Sequence, residues 1–156
     1  MPRWRLTGSK EPAPPDDALL HAFLDGDEAS ALARAAELAA AGPEHANLIY
    51  GTSKRALARW VRRHAATPEW AGAGIALNGI APGVVNTPMT ADLTATEDAK
   101  AALLEQVPMP LNGFVEPQEI AQLLLWLSGE EMAHLCGQII FIDGGSDAVI
   151  RGDSTW

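Results

Sequence analysis

Tyr50 and Lys54 stand four positions apart in Tyr50-Gly-Thr-Ser-Lys54. On a helix that spacing brings a phenol and an ammonium to the same side, about one turn apart. A lysine cation next to a tyrosine favours phenolate, drawing a phenol from its ordinary value of about 10 toward neutrality, where it serves as a general acid or base. A tyrosine and a lysine one turn apart also arise by chance, so the pair alone leaves open an ordinary surface tyrosine beside its neighbour. The other reactive side chains offer less. His21, His45, His64 and His134 show no His-x-x-x-His spacing and Cys136 is the single cysteine, so neither a metal site nor an internal disulfide is expected.

The pair needs a helix to carry it. Tyr50, Lys54, Leu57, Val61 and His64 recur at helical spacing, which predicts a helix over about 47–66 with those residues along one face and Arg55, Arg59, Arg62 and Arg63 mostly on the others. Ahead of it, residues 1–17 hold four prolines and end in Asp16-Asp17, an irregular lead-in followed by an acidic helix start. The alanine-rich stretch from there to Gly42-Pro43 reads as two short helices broken at Gly26. Residues 1–46 form this lead-in and helical part, and 47–156 the part that carries the chemistry.

Behind the helix, residues 74–80 read as a buried strand closed by Pro82-Gly83, and 84–114 as a loop-rich flap with a short helix over 95–106. Pro117 opens a helix with Ile120, Leu123, Leu124 and Leu127 as its core and Gly129 as its stop. Residues 138–143 read as a second buried, parallel strand ending at Gly144-Gly145. Two apolar strands separated by helices describe part of an α/β parallel sheet. Two strands cannot complete one, because each buried strand needs neighbours to pair its backbone groups.

These blocks, in this order, resemble the C-terminal catalytic half of the short-chain dehydrogenase/reductase family. Tyr50-Gly-Thr-Ser-Lys-Arg-Ala-Leu57 looks like the family's catalytic helix. Ile75-Ala-Leu-Asn-Gly-Ile-Ala-Pro-Gly83 with Asn86-Thr87-Pro88-Met89 looks like its strand and turn under the nicotinamide. Pro117-Gln-Glu-Ile-Ala121 with Gly137-Gln-Ile-Ile-Phe-Ile-Asp-Gly-Gly145 looks like its last helix and strand. The alanine-rich stretch and the ending Asp143-Gly-Gly-Ser-Asp-Ala-Val-Ile-Arg151 are similar to the 3α-hydroxysteroid dehydrogenase/carbonyl reductase branch, which carries a helical insertion before the tyrosine. Asn112-Gly113-Phe114 departs from it, standing where relatives commonly have Gly-Arg.

The resemblance implies an incomplete Rossmann-like sheet, the nucleotide-binding half being absent, and an NAD or NADP cofactor. It gives Tyr50 the role of proton donor or acceptor for a carbonyl or secondary alcohol, steroid-like compounds among them in this branch. Lys54 would lower the tyrosine pKa and bind the nicotinamide ribose, with Pro82, Gly83, Val85 and Thr87 lining the nicotinamide. Ser9 falls about where the branch has its catalytic serine, although Leu6-Thr-Gly-Ser-Lys-Glu-Pro12 equally describes a solvated loop. Asp143-Gly144-Gly145 reads as structural, and Trp60, Trp70 and Trp126 as packing residues at the sheet or a subunit contact.

The glycine-rich turn that would face a pyrophosphate is missing: Thr7-Gly8-Ser9-Lys10 has one glycine and is followed by Pro12, Pro14 and Pro15. The expectation is therefore a truncated oxidoreductase, inactive alone and completed by a complementary N-terminal half, or else a catalytically silent remnant that serves as an oligomerisation or interaction module. A cofactor-free binder of a hydrophobic small molecule is a third reading. A formal charge of -9 opposes nucleic-acid and anionic-membrane partners. No apolar run approaches the roughly 20 residues of a membrane span, and a cytosolic small-molecule enzyme, as a homo-oligomer or with its complementary half, is expected.

Overall fold

The computed structural model describes residues 14–153, and three helices come first. Helix α1 (Asp17–Asp25) starts where the Asp16 carboxylate accepts the Leu19 N–H at 2.9 Å and stops at Gly26, whose φ of 71° is a left-handed cap that suits a residue without Cβ. Helix α2 (Glu28–Ala40) opens the same way, with Asp27 accepting from the Ser30 N–H. The break at Gly26 is as expected. Helix α3 (Pro43–His64) has proline at its first position, where the missing N–H would have had no partner in the helix anyway. It starts four residues before the expected Asn47, and the 46/47 division lies inside it.

These helices close on a core of Leu19, Ala22, Ala31 and Leu38, against which Ala35, Leu48 and Ile49 pack. The buried residues of α3 are Thr52, Ala56 and Val61. The expected stripe of Tyr50, Lys54, Leu57 and Val61 therefore divides. Val61 is buried while Tyr50 and Leu57 face outward, because α1 and α2 cover the other side of the helix.

Strands β1 (Gly79–Pro82) and β2 (Ile139–Ile142) pair in parallel, Gly79 opposite Ile139 and Pro82 opposite Ile142. The parallel direction matches expectation, but the ladder takes only 79–80 of the expected 74–80 and runs on through Pro82, and neither strand is fully buried. Before the ladder begins, the Asn78 side chain replaces it, donating to the Leu135 carbonyl at 2.6 Å and accepting the Gln138 N–H at 2.9 Å. The fold is α/β, with an incomplete Rossmann-like parallel sheet among the described residues.

Helix α4 (Glu97–Gln106), capped by the Thr96 hydroxyl, follows a short 3-10 turn at Ala91–Thr94 inside the expected flap. Helix α5 (Pro117–Leu127) opens at Pro117 as expected, and the Glu119 carboxylate accepts the Glu116 N–H at 2.8 Å in its first turn. None of its residues is buried, so Ile120, Leu123, Leu124 and Leu127 do not form a closed core. The two strands give that apolar face too little to lie on. Helix α6 (Ser146–Arg151) ends the described chain. Trp60 stacks on His64 with ring centroids 4.6 Å apart and Trp70 meets Trp60 edge-on, whereas Trp126 is exposed. Among the described residues no helix is long and apolar enough to cross a membrane.

Candidate active site

The structure brings Tyr50 and Lys54 together on the outer side of α3. The Lys54 ammonium lies 5.3 Å from the centroid of the Tyr50 ring, over its electron-rich face, and Tyr50 is 61% exposed. Ser53 turns back into the helix, donating to the Tyr50 carbonyl at 2.8 Å. The phenol therefore sits beside a cation and within reach of a ligand arriving from solvent.

Thr52 holds the other side of the helix. Two residues on from Tyr50 is a rotation of about 200°, and there Thr52 is 0% exposed, its hydroxyl accepting the Asp16 N–H at 3.0 Å. Asp16 is clamped in turn by Arg34, with Nη2 to Oδ2 at 2.7 Å and Nε to Oδ1 at 3.1 Å. The Arg34 guanidinium first, and the Leu19 N–H second, hold the Asp16 carboxyl below its ordinary value of 3.8. One buried hydroxyl thus fixes the start of α1 against α3 and directs Tyr50 and Lys54 away from the helical core. Thr52 escapes a sequence reading because a threonine amid small residues signals no partner 36 positions away. Ser9 lies outside the described residues.

The second group of expected residues follows β1. Pro82 ends the strand, and a Cβ on Gly83 would come within 2.6 Å of the mobile tip of Met109 and 3.0 Å of Asp143 Cα, so close packing against the Asp143 backbone favours glycine there. Val85 forms an isolated parallel bridge with Val115, made by Asn86 N–H to the Val115 carbonyl and Val115 N–H to the Val84 carbonyl, both at 2.9 Å. Thr87 is held by Thr90, a residue that sequence reasoning did not single out: the Thr87 N–H donates to Thr90 Oγ1 at 3.0 Å, and Thr90 Oγ1 donates to the Val85 carbonyl at 2.6 Å. The only available signal was a second threonine three places on, positioned for a local turn.

Among the described residues no hydrogen bond joins the Tyr50–Lys54 group to the Pro82–Thr87 group. They are related through the far end of α3, where Arg62 donates to the Gly137 carbonyl at 2.9 Å and the Cys136 thiol to the Ala65 carbonyl at 3.2 Å, just before β2 begins. The Asp143 carboxylate accepts the N–H groups of Gly145 and Asp147, a structural duty. A Cβ on Gly144 would meet the Leu111 carbonyl at 2.7 Å. An open cleft of about 280 Å³ lies beside Asn112, Phe114, Glu119, Phe141 and Asp143, and Tyr50, Lys54 and Thr87 are not among its lining. Asn112 there has a φ of 62°, the left-handed region. Among the described residues no cluster of three or more His, Cys, Asp or Glu could hold a metal ion.

Residues 20–147 match the family model described as enoyl-(acyl carrier protein) reductase. The 3-oxoacyl-[acyl-carrier-protein] reductase FabG of Thermotoga maritima is 43% identical over 77 residues, which are 49% of this chain and 30% of that protein. The 3-alpha-hydroxysteroid dehydrogenase/carbonyl reductase of Comamonas testosteroni is 38% identical over 111 residues, 71% of this chain and 42% of that one. The crystal structure of the 3-alpha-hydroxysteroid dehydrogenase from Pseudomonas sp. B-0831 complexed with NADH superposes with a TM-score of 0.71 at 35% identity, covering 86% of this chain and 50% of that one. The chain belongs to the short-chain dehydrogenase/reductase family of oxidoreductases. Its similarity extends to the hydroxysteroid dehydrogenase/carbonyl reductase branch, and the chain spans half or less of the length of these relatives.

Proposed function

We propose that this chain supplies the acid/base side of an NAD(P)-dependent reductase for carbonyl compounds, steroid-like ones among them, working in reverse on secondary alcohols. The observation that carries the reading is Lys54 lying 5.3 Å over the ring of an exposed Tyr50 in a chain of this family. Tyr50 gives its phenolic proton to the carbonyl oxygen as the carbonyl carbon becomes an alcohol carbon, and in oxidation it takes that proton back. Lys54 stabilises the phenolate left behind and reaches the ribose next to the reacting ring. When bound, the nicotinamide supplies or accepts the hydride.

The anchoring of α3 supports a shared site. From Ala65 back to Tyr50 is about 22 Å of helix, and from Leu77 to Gly83 about 20 Å of extended chain. Both start at the level of Cys136–Gly137, since Ala65 is bonded there and the Gly137 N–H donates to the Leu77 carbonyl at 2.8 Å. On this reading the strands run back along α3 and bring Pro82–Thr87 toward Tyr50. Pro82, Gly83 and Val85 then offer a flat apolar wall and Thr87 a hydroxyl, which fit a nicotinamide and its carboxamide. Nothing in the 156 residues has the Gly-x-x-x-Gly-x-Gly spacing for a pyrophosphate. That element comes from residues outside these 156, whether in a longer polypeptide or on a separate one, and the chain alone is inactive.

Mixing the chain with a nucleotide-binding portion from a relative tests this. Carbonyl-dependent NADH or NADPH oxidation should appear on mixing and fall by about 10²- to 10⁴-fold in Tyr50→Phe. Saturable dinucleotide binding by the chain alone would refute the assignment of the pyrophosphate site elsewhere. A second reading, a silent module for association, is favoured by one observation: Leu124, Leu125 and Trp126 on α5 and Phe141 on β2 are all exposed. Absence of turnover on mixing, with a stable oligomer of the chain in sedimentation, would establish it.

A further inference from the structure

The Thr87–Thr90 pair has a definite polarity. A threonine hydroxyl has one proton and two lone pairs. Two carbonyls lie within reach of Thr90 Oγ1, Val85 at 2.6 Å and Thr87 at 3.1 Å, and a carbonyl can only accept, so the one proton is turned to them, nearest Val85. One lone pair receives the Thr87 N–H at 3.0 Å. The remaining contact, with Thr87 Oγ1 at 3.3 Å, then has one possible direction: Thr87 donates to Thr90. At that length it is weak, but among the described residues no other acceptor lies within hydrogen-bond distance of Thr87 Oγ1. What Thr87 offers a ligand is lone pairs.

We infer that Thr90 is a positioning residue that makes Thr87 an acceptor, so that this turn selects a carboxamide, which brings N–H donors, over a carboxylate, which brings none. The inference rests on the nicotinamide reading above and deepens it. A carboxylate at the same place would set its oxygens against the Thr87 lone pairs unless the Thr87 proton left Thr90. Breaking that contact and the turn around it is the cost of accepting the acid. The backbone contributes as well, because the Thr87 N–H is already engaged and is not available to rescue an anion.

The test uses Thr90→Ser, which keeps the hydroxyl, and Thr90→Val, which keeps the shape without it. Both are made in the full chain, with nicotinamide mononucleotide in its reduced form and nicotinic acid mononucleotide as probes. The expected result is a Thr87 amide that exchanges slowly in the parent and in Thr90→Ser and about tenfold faster in Thr90→Val, as loss of one hydrogen bond predicts. The Thr87 methyl resonance should move with the amide probe and not with the acid probe in the first two proteins, and this preference should vanish in Thr90→Val. Retained preference and slow exchange in Thr90→Val would overturn the inference, as would equal responses to both probes, or none to the amide, in the parent. Failure of the functional reading looks different: a selective methyl response without Tyr50-dependent turnover on mixing keeps this inference and removes that reading.

Discussion

The helical part and the sheet part of this chain are finished to different degrees. In α1–α3, Leu19 and Leu20 are 0% and 1% exposed and Thr52 is fully buried with its partner in place. In the sheet part neither strand is fully buried, α5 has no buried residue, and Leu125 is 77% exposed. Three amphipathic helices can close a core among themselves by packing their apolar faces together. A parallel strand cannot, because its second edge and second face are completed only by other strands and helices. Self-sufficiency here follows from the kind of element, since both parts are comparably apolar in sequence.

The sharpest way to break the comparison is to remove apolar bulk from each side. Leu20→Ala should destabilise the chain by about 2–5 kcal/mol in urea unfolding followed by circular dichroism. Leu125→Ala, changing an exposed residue of the same type, should stay within about 0.5 kcal/mol. Similar losses at the two positions would mean that α5 is covered in solution, by a second copy or another partner.

A smaller effect is expected at the polar clamp. Asp16→Asn should remove the charged partner of Arg34 while keeping a side-chain oxygen for the Leu19 N–H, at a cost of at most about 1 kcal/mol. Because the Asp16 pKa is depressed below 3.8 by Arg34 and the Leu19 N–H, its contribution is complete above the unfolded value and is lost as pH falls through the folded one. Unfolding of the parent should therefore become easier on acidification below about pH 4, and Asp16→Asn should flatten that part of the curve. An unchanged acid limb in the variant would assign the acid sensitivity to other carboxylates.

The difference between the two parts also governs how much the sequence disclosed. Helix starts were legible where the residue that ends or begins the element acts locally: Asp16, Gly26 and Pro117 each mark a boundary through their own backbone or side-chain chemistry. The strands were legible as apolar runs and as parallel. Their length and burial were not, because these depend on neighbours that the described residues do not include. The Tyr50–Lys54 juxtaposition could be read from spacing alone, being contained in one helix. Thr52 and Thr90 could not. The first depends on a contact across the fold, and the second on which of several oxygens receives a single proton.

Pro82 occupies a position with a second consequence. Gly79 and Gly83 direct their N–H groups to β2, so by the alternation of a strand Ile80 and Pro82 face the open edge. Proline has no N–H, which leaves the Ile80 amide as the sole donor along that side of β1. An uncovered edge with one donor is a poor template for a stray strand. A replacement at 82 is thus judged twice, once by what it places at the end of the strand and once by the extra donor it would add to an open edge in the crowded company of a newly made chain.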